Sequence, residues 1–279
     1  MLGLDTLWFQ VSGTVCNLAC THCFISCSPG NVSHAVMTLA QVMPYLEEGA
    51  SLGVKEYYFT GGEPFVNPEI DSILAQALLR GPCTVLTNGV LITARRAAVL
   101  KALADASEYS LDIRASLDGF DAASNDAIRG QGAFDRIMDA LGHLAAAGID
   151  PVITVTEACE EAATDLGRTR LLALLSAAGL ARPRLKVMPL LRLGAESRRT
   201  RPYGESESLQ GFALDARDFE ALQCSSGRMV SSKGVYVCPI LIESNEARMG
   251  GTLSAALRPF LLRHRACHTC HAMGLSCRT

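Results

Sequence analysis

Three cysteines near the start of the sequence have the residue type and the spacing to bind a metal centre. Cys16, Cys20 and Cys23 form the pattern C-x3-C-x2-C within eight residues. A disulfide inside so short a stretch leaves one sulfur over, so a disulfide fits this pattern badly. Cys thiolates hold iron–sulfur clusters, and three thiolates on a [4Fe–4S] cluster leave one iron open. Zinc is the alternative, although its sites usually combine a C-x2-C pair with a second pair elsewhere.

The pattern lies in an early loop after a predicted strand, and it resembles the signature of the radical S-adenosylmethionine (SAM) enzymes. The resemblance implies that Cys16, Cys20 and Cys23 are cluster ligands, and that the open iron chelates the amino and carboxylate groups of SAM. Reduction of the cluster then cleaves SAM to a 5′-deoxyadenosyl radical, which abstracts hydrogen from a substrate. His22 matches the family's usual aromatic position beside the adenine, so it is a predicted SAM contact.

The sequence Gly61-Gly62-Glu63-Pro64 follows the second predicted strand. Ligands of α/β sheets and barrels bind at the carboxyl ends of strands. Two glycines let a backbone approach a ligand closely, and a glutamate accepts hydrogen bonds from an amine. Alone, the motif would be a turn. One strand after the cysteines, it resembles the family motif that binds the SAM amino group, which implies that Gly61, Gly62 and Glu63 bind SAM.

Two other predicted contacts end strands and have simpler explanations. Asn88, in Thr87-Asn88-Gly89, either lies near SAM, as the resemblance implies, or belongs to a plain Asn-Gly turn. Leu190, after the sixth predicted strand, either lies near the adenine by family analogy or is an ordinary core residue.

The fourth predicted strand ends in Ser116-Leu117-Asp118-Gly119. Ser116 and Asp118 lie on one side of an extended chain, where they can bind ribose hydroxyls or surround the SAM carboxylate. The guanidinium of Arg129 offers a fork suited to a carboxylate. In the SPASM/twitch branch of the family a similar Ser and Arg contact the methionyl carboxylate. The alternative for Arg129 is a surface cation at the start of a helix.

A second group of cysteines lies near the end of the sequence. Cys224 and Cys238 flank a predicted hairpin of strands 228–231 and 234–238, and Cys267, Cys270 and Cys277 follow. These residues can form a zinc ribbon, with His264, His268 or His271 as spare ligands. They also resemble the twitch domain, which carries one auxiliary [4Fe–4S] cluster. That resemblance implies the ligands Cys224, Cys238, Cys267 and Cys270, with Cys277 either replacing one of them or spare.

Several reactive residues lie outside these sets. Cys27 is close to the cluster loop and is a possible contact of SAM or substrate, whereas Cys83 and Cys159 are expected to pack as small apolar residues. Three arginines cluster after the last predicted barrel strand, and they either grip an anionic substrate group or belong to a solvated linker. These arginines are Arg198, Arg199 and Arg201.

The order of predicted elements gives the fold class. Strands are predicted at 4–11, 54–60, 83–87, 110–117, 152–156 and 184–190, with helices at 38–52, 67 onward, 93–104, 133–147 and 166–178. Six strand–helix alternations predict a parallel sheet with helices outside it, in a partial (β/α)6 barrel. The predicted domains are a barrel at 1–191, a linker and helix at 192–223, and a twitch-like hairpin and helix at 224–279.

Composition excludes several classes of protein. The chain has 279 residues, a net charge of −3 and a pI near 6.1, so it lacks the basic surface of a nucleic-acid-binding protein. It has no long apolar run and no secretory signal, and we expect a cytoplasmic protein without a membrane span. Eleven cysteines in such a protein indicate metal or redox chemistry.

These features predict a radical SAM oxidoreductase that oxidises a small biosynthetic molecule with help from the auxiliary cluster. Electrons are expected from a flavodoxin- or ferredoxin-type donor. Because no extra domain precedes the barrel in this sequence, a leader-peptide binder is not expected, which favours a small substrate over a peptide. The alternatives are a peptide-modifying maturase, by cross-linking or epimerisation, and a non-catalytic metal-cluster protein. For epimerisation, the Cys27 thiol could donate hydrogen. No catalytic acid or base stands out.

Overall fold

The computed structural model describes residues 3–273. Its first part alternates strands and helices, as the sequence predicts. The parallel strands are β1 (Thr6–Gln10), β2 (Glu56–Thr60), β3 (Cys83–Thr87), β4 (Leu111–Ser116), β5 (Val152–Thr156) and β6 (Arg184–Met188). The helices between them are α1 (Leu39–Ser51), α2 (Ile70–Ala77), α3 (Ala94–Asp105), α4 (Ala122–Arg129), α5 (Ala133–Ala146) and α6 (Asp165–Ala177).

The six strands lie side by side in sequence order, from β1 to β6, and every neighbouring pair is parallel. This confirms the predicted partial (β/α)6 barrel. Alternate residues of each strand point to opposite faces. Trp8 of β1 stacks on Tyr58 of β2 with ring centroids 4.3 Å apart, on one face, and Phe9 stacks on Phe59 on the other. Both faces are therefore buried, as expected for strands of a parallel sheet.

Helix α1 begins as predicted, because Thr38 and Gln41 form a capping box. Helix α2 begins at Ile70, three residues after the predicted cap at Asn67. The Asn67 amide instead donates to the carbonyls of Val11 and Met37, both at 2.8 Å. Asn67 therefore ties the start of α1 to the end of β1, and this long-range use of its side chain has no signal in the local sequence.

Helix α4 was not predicted as a separate element. Asp121 caps it with a capping box, and Arg129 is its last residue. Arg129 is only 5% exposed, so the alternative of a surface cation at a helix start is wrong. A cation in the last turn also interacts favourably with the helix dipole.

The remaining elements extend the same sheet. Strand β7 (Gly227–Ser231) pairs parallel with β1, and β8 (Gly234–Tyr236) and β9 (Arg248–Gly250) continue from it in antiparallel order. The predicted hairpin is present, whereas three-residue β9 was too short to predict. The short helices α7 (Ala216–Ala221), α8 (Leu253–Ala256) and α9 (Ala266–Ala272) surround it. The domain boundaries at 191 and 223 stay a prediction.

The segment between β6 and α7 is mostly irregular, as predicted, with one 3-10 turn at Glu196–Arg198. Arg199 pairs with Glu196 at 3.3 Å, and Arg201 pairs with Glu207 at 2.6 Å. Part of the arginine cluster is thus held by carboxylates of its own segment, and its binding of an anionic substrate stays a prediction. Among residues 3–273, no helix is long and apolar enough to cross a lipid bilayer.

Candidate functional site

A cavity of about 260 Å³ opens at the carboxyl ends of the parallel strands. The thiols of Cys16, Cys20, Cys23 and Cys27 share its wall, as do strand-end residues from β2 to β6. Most of the predicted SAM contacts line it: His22, Gly61, Gly62, Asn88, Ser116, Arg129 and Leu190. The loop that carries these cysteines (residues 16–27) is called the cysteine loop here. The fold brings residues from six other places in the sequence around it, at the end of the strands where ligands of parallel barrels bind.

The glycines after β2 are needed because the cysteine loop passes very close to them. The amide of Gly62 donates to the carbonyl of Gly13 at 2.8 Å, and that of Glu63 to the carbonyl of Val15 at 3.0 Å. A Cβ on Gly62 would stand 2.1 Å from the Val15 oxygen and 2.8 Å from Cys16 Cβ. The glycines thus allow the backbone after β2 to approach the cysteine loop closely, and hydrogen bonds hold the loop to the end of β2.

Glu63 lies behind the cavity wall and is completely buried. Its carboxylate accepts hydrogen bonds from the backbone amides of Phe65 and Asn88 and from the Thr87 hydroxyl, at 2.8–3.1 Å. Burial raises the pKa of Glu63 to about 7, against the opposing effect of these hydrogen bonds. In this arrangement Glu63 joins the ends of β2 and β3, and its oxygen atoms already have donors.

Asn88 connects β3 to the cysteine loop. Its amide donates to Asn17 Oδ1 at 2.7 Å and reaches Cys16 Sγ at 3.6 Å. The Cys16 sulfur also accepts from the amide of Leu18 at 3.5 Å. The Asn-Gly sequence is thus more than a turn, because its side chain contacts a candidate ligand sulfur. Hydrogen bonds to ligand sulfurs are one of the ways in which proteins tune iron–sulfur clusters.

Asp118 connects several residues on the side of the cavity that includes His22 and Arg129, although its own side chain does not line the cavity. Its Oδ2 lies 2.6 Å from Arg129 Nη2 and 3.0 Å from His22 Nε2. Its Oδ1 accepts from the amide and the hydroxyl of Thr156, at 2.6 and 2.8 Å. The charge of Arg129 and the hydrogen bonds of this carboxyl hold the pKa of Asp118 well below its usual range, in spite of burial.

Two polar atoms of this wall point to a ligand. His22 Nδ1 and Arg129 Nε are buried and have no hydrogen-bond partner within residues 3–273. Buried polar groups in proteins normally have partners, so an exception at a cavity needs an explanation. A polar ligand with acceptors and donors, such as an amino acid joined to a nucleoside, supplies such partners.

Sequence reasoning expected the polar end of the fifth strand to face the site but singled out no contact residue in it, and it overlooked Met188. In the structure Thr154 and Thr156 line the wall from β5, and Met188 lines it from β6. The threonines are polar residues on one face at the carboxyl end of a strand, which is a usable signal. Nothing in the sequence signals that Thr156 also anchors Asp118, because the two residues are 38 positions apart.

Cys16 and Cys20 of the loop need a nearby cation to be ionised at neutral pH. Burial raises the pKa of Cys16 to about 12, and burial also raises that of Cys20. The Cys23 thiol has a lowered pKa, because Cys27 donates a hydrogen bond to its sulfur. Cys27 thus lies beside the loop ligands as expected, and its Sγ is 4.0 Å from the carbonyl of Gly61.

The other group of cysteines shares a second, largely apolar cavity. Cys224, Cys238, Cys267 and Cys270 all line it, together with residues such as Leu222 and Ile240. Burial raises the pKa of each of Cys224, Cys238 and Cys267, and for Cys238 the other three thiols add to the effect. Cys277 lies outside the described residues. The fold therefore brings the four predicted auxiliary ligands together from two segments of the sequence.

Thiolates are the ligands of iron–sulfur clusters, and each cavity presents thiols as a group. The first cavity has Cys16, Cys20 and Cys23, and the second has Cys224, Cys238, Cys267 and Cys270. The donor chemistry thus fits iron–sulfur clusters at both places, with zinc as the alternative at the second.

An open cleft of about 540 Å³ shares wall residues with both cavities. Phe24 and Ile25 of the cysteine loop line both this cleft and the first cavity. Ile240 and Leu241 line both the cleft and the second cavity. Gly194, also in the cleft wall, packs on the loop so tightly that a Cβ would stand 2.6 Å from the Phe24 carbonyl.

Comparison with known proteins shows the family to which the chain belongs. A family model described as the Radical SAM superfamily matches residues 11–158. The mycofactocin maturase MftC of Mycobacterium tuberculosis is 38% identical over 134 residues, which cover 48% of this chain and 32% of the relative. The AdoMet-dependent heme synthase of Nitratidesulfovibrio vulgaris is 35% identical over 147 residues, covering 50% and 37%. The chain thus spans about a third of the length of these relatives.

Solved structures agree on the fold. SuiB of Streptococcus suis, bound to its precursor peptide SuiA, matches with a TM-score of 0.66 at 16% identity, over 88% of this chain and 62% of that one. The anSMEcpe enzyme with bound AdoMet matches with a TM-score of 0.66 at 16% identity, over 91% and 77%. Such identities show the fold alone, consistent with the SPASM/twitch branch. Since the family model covers more than half of the sequence, the chain belongs to the radical SAM superfamily, whose members bind SAM at a [4Fe–4S] cluster.

Proposed function

We propose that this chain catalyses a two-electron oxidation of an organic substrate, using a SAM-binding cluster on Cys16, Cys20 and Cys23 and one auxiliary [4Fe–4S] cluster on the later cysteines. The observation that carries the proposal is the pair of cysteine-lined cavities that share wall residues with one cleft. A substrate in that cleft borders both a place where a radical can form and a place that can accept an electron.

The loop ligands and the wall opposite them define the SAM site. A cluster held by Cys16, Cys20 and Cys23 would supply the electron for the reductive cleavage of SAM, and with it the radical chemistry that removes a hydrogen atom from the substrate. In the proposed arrangement Arg129 and Ser116 bind the SAM carboxylate, and Gly61 and Gly62 contact its amino group. His22 and Leu190 contact the adenine. Glu63 and Asp118 act from behind the wall, because their oxygens are occupied by neighbouring residues.

Four cysteines at the second cavity give a closed auxiliary cluster. Because all four positions are then taken by thiolates, the substrate does not bind an iron there, and the role of the cluster is electron transfer. Buried apolar walls, such as those formed by Leu222 and Ile240, keep water from the sulfurs. A flavodoxin- or ferredoxin-type protein supplies the first electron.

The relatives favour a peptide as the substrate. MftC is named a maturase, and the matched SuiB structure contains a precursor peptide. The cleft that borders both cavities is open to solvent, has a volume of about 540 Å³ and is lined in part by the cysteine loop. We therefore propose a peptide side chain as the site of oxidation.

A small molecule, as the sequence predicts, is the second candidate. It is favoured by the likeness to the AdoMet-dependent heme synthase, at 35% identity over the barrel. Incubating the reconstituted protein with peptides and with small metabolites, and following the substrate mass by mass spectrometry, separates the two. A loss of two hydrogens in one class and not in the other decides between them.

The proposed chemistry is tested without knowing the substrate. The protein is reconstituted without oxygen, mixed with SAM and dithionite, and assayed for 5′-deoxyadenosine. We expect several turnovers of 5′-deoxyadenosine per chain and about eight irons per chain, the content of two four-iron clusters. A protein with full iron content that forms no 5′-deoxyadenosine would be a metal-cluster protein without this activity, and the proposal would fail.

A further inference from the structure

Arg228 is a buried cation beside the second group of cysteines. It lies in β7, and only 1% of the residue is exposed. Its guanidinium donates to backbone carbonyls on three sides: Nη1 to Cys224 and Gly227 at 2.7 and 2.6 Å, Nε to Ala256 at 2.9 Å, and Nη2 to Arg258 at 3.1 Å. These bonds fix the position of the charge, so that it cannot turn toward solvent.

The fixed charge lies beside one of the four candidate ligands. Arg228 Nη1 donates to the Cys224 carbonyl at 2.7 Å, and the two residues line the same apolar groove. Cys224 also lines the cavity that the four cysteines share. Burial lowers the pKa of Arg228, and charge on the Cys224 and Cys238 thiols opposes this effect. Burial raises the pKa of the Cys224 thiol, and the guanidinium in turn opposes this rise.

We propose that Arg228 is a positioning residue that sets the reduction potential of the auxiliary cluster. This inference rests on the proposed second cluster. A [4Fe–4S] core of charge 2+ with four thiolates carries 2−, and addition of one electron makes it 3−. A guanidinium held in an apolar, poorly solvated environment stabilises the reduced state more than the oxidised state. Arg228 therefore makes the cluster a better acceptor of the single electron that the substrate radical gives up.

The test compares charge-removing and charge-keeping variants. The holoprotein with both clusters is titrated with dithionite, and the reduced clusters are followed by electron paramagnetic resonance. We expect Arg228→Met and Arg228→Gln to lower the midpoint potential of the auxiliary cluster. Arg228→Lys keeps the charge and should stay near the wild type. The potential of the loop cluster should not change in any variant.

Arg258→Met is the matched control. It removes a neighbouring cation that is exposed to water, where solvent screens its field, so we expect no shift. The hydrogen bond from Arg228 to residue 258 uses the backbone carbonyl and survives the substitution. If Arg258→Met shifted the potential as much as Arg228→Met, a specific role for the buried charge would be refuted.

The remaining outcomes separate this inference from the proposed function. A wild-type protein without a second cluster would overturn both. A second cluster with the same potential in wild type, Arg228→Met and Arg228→Gln would overturn only the role of Arg228. Should Arg228→Met not fold, Arg228→Gln decides, because its amide still donates to the carbonyls without carrying charge. A shift in Arg228→Lys equal to that in Arg228→Gln would assign the effect to geometry and also refute the inference.

Discussion

Asp118 Oδ2 lies 2.6 Å from Arg129 Nη2, and both side chains are buried beside the cavity at the strand ends. The same oxygen is 3.0 Å from His22 Nε2. One carboxylate that does not itself line the cavity thus orients two side chains that do. Asp118, which the sequence predicts as a ligand contact, thus supports two side chains that line the cavity.

Replacing Asp118 by Asn should weaken SAM binding. The change keeps the shape but leaves Arg129 as a buried charge without its carboxylate, and breaking a buried pair typically costs about 3–5 kcal/mol of stability. Because Arg129 and His22 lose their orientation, we expect the dissociation constant of SAM to rise about tenfold, or about 1.4 kcal/mol. Isothermal titration calorimetry on the reconstituted protein measures it.

Asp112 provides the control for this variant. It lies in the same strand, β4, and pairs with Arg184 at 3.4 Å, but both side chains are partly exposed. Exposed pairs contribute at most about 1 kcal/mol. Asp112→Asn should therefore leave SAM binding unchanged. Equal losses in the two variants would show that Asp118 has no special connection to the site.

Gly62→Ala should displace the cysteine loop. The added Cβ would meet the Val15 carbonyl oxygen at 2.1 Å, and because that oxygen belongs to the backbone, the loop has to move. We expect a protein that folds but retains less iron at the loop cluster and forms at least about tenfold less 5′-deoxyadenosine. Gly142→Ala is the control, since Gly142 is in α5 with no atom near its Cβ position. That change should stabilise the helix by about 0.5–1 kcal/mol and leave activity intact.

Replacing Cys16, Cys20 and Cys23 together by Ala should remove about half of the iron and all formation of 5′-deoxyadenosine. The second group of cysteines lies in its own cavity, so its iron should remain. The reciprocal variant, with Ala at Cys224, Cys238, Cys267 and Cys270, should keep the ability to cleave SAM but lose substrate oxidation. Loss of all iron in the first variant would mean that the two sites do not bind clusters independently.

His34 predicts a pH dependence of stability. It is buried, with Nδ1 3.0 Å from Ser231 Oγ, and it links the cysteine loop to β7. Burial lowers its pKa below the usual 6.5, with Glu243 opposing and Lys233 adding to the effect. The unfolded chain therefore binds a proton more readily than the folded one, and the free energy of unfolding falls as the pH drops below about 6.5.

This dependence is measured by urea unfolding at about pH 7.5 and about pH 5.5, in the wild type and in His34→Gln. The wild type should lose more stability over this step than the variant, because the variant has no group to protonate there. An equal loss in both proteins would contradict this account. It would show that unfolding does not change the protonation of His34 in this pH range.

The sequence was sufficient for the barrel and for most of the SAM cavity, because these depend on local patterns. Cys83–Thr87 and Val152–Thr156 occur as predicted, since short β-branched runs between turns define a buried strand. The loop cysteines and the Gly-Gly-Glu motif are contiguous, so their neighbourhood could be read directly. Ser116, Asn88 and Leu190 line the cavity because they end parallel strands.

What the sequence could not show are contacts between distant positions. The packing of strand ends determines three such features. Glu63 accepts a hydrogen bond from Asn88, Asp118 accepts one from Thr156, and Arg129 is buried. The same holds for β7, whose parallel pairing with β1 joins residues more than 200 positions apart. Arg228 had no signal at all, because a single arginine in a short strand is normally expected at the surface.

The most direct test of the account is electron paramagnetic resonance of the dithionite-reduced protein with and without SAM. If the protein holds two clusters, we expect two overlapping signals. SAM should change only the signal of the loop cluster, because only that cluster has an open iron. The variant without Cys16, Cys20 and Cys23 should show only the signal that SAM leaves unchanged. A single signal in the wild type, or two signals that SAM leaves unaltered, would contradict the proposed division of the cysteines into a SAM site and an electron-transfer site.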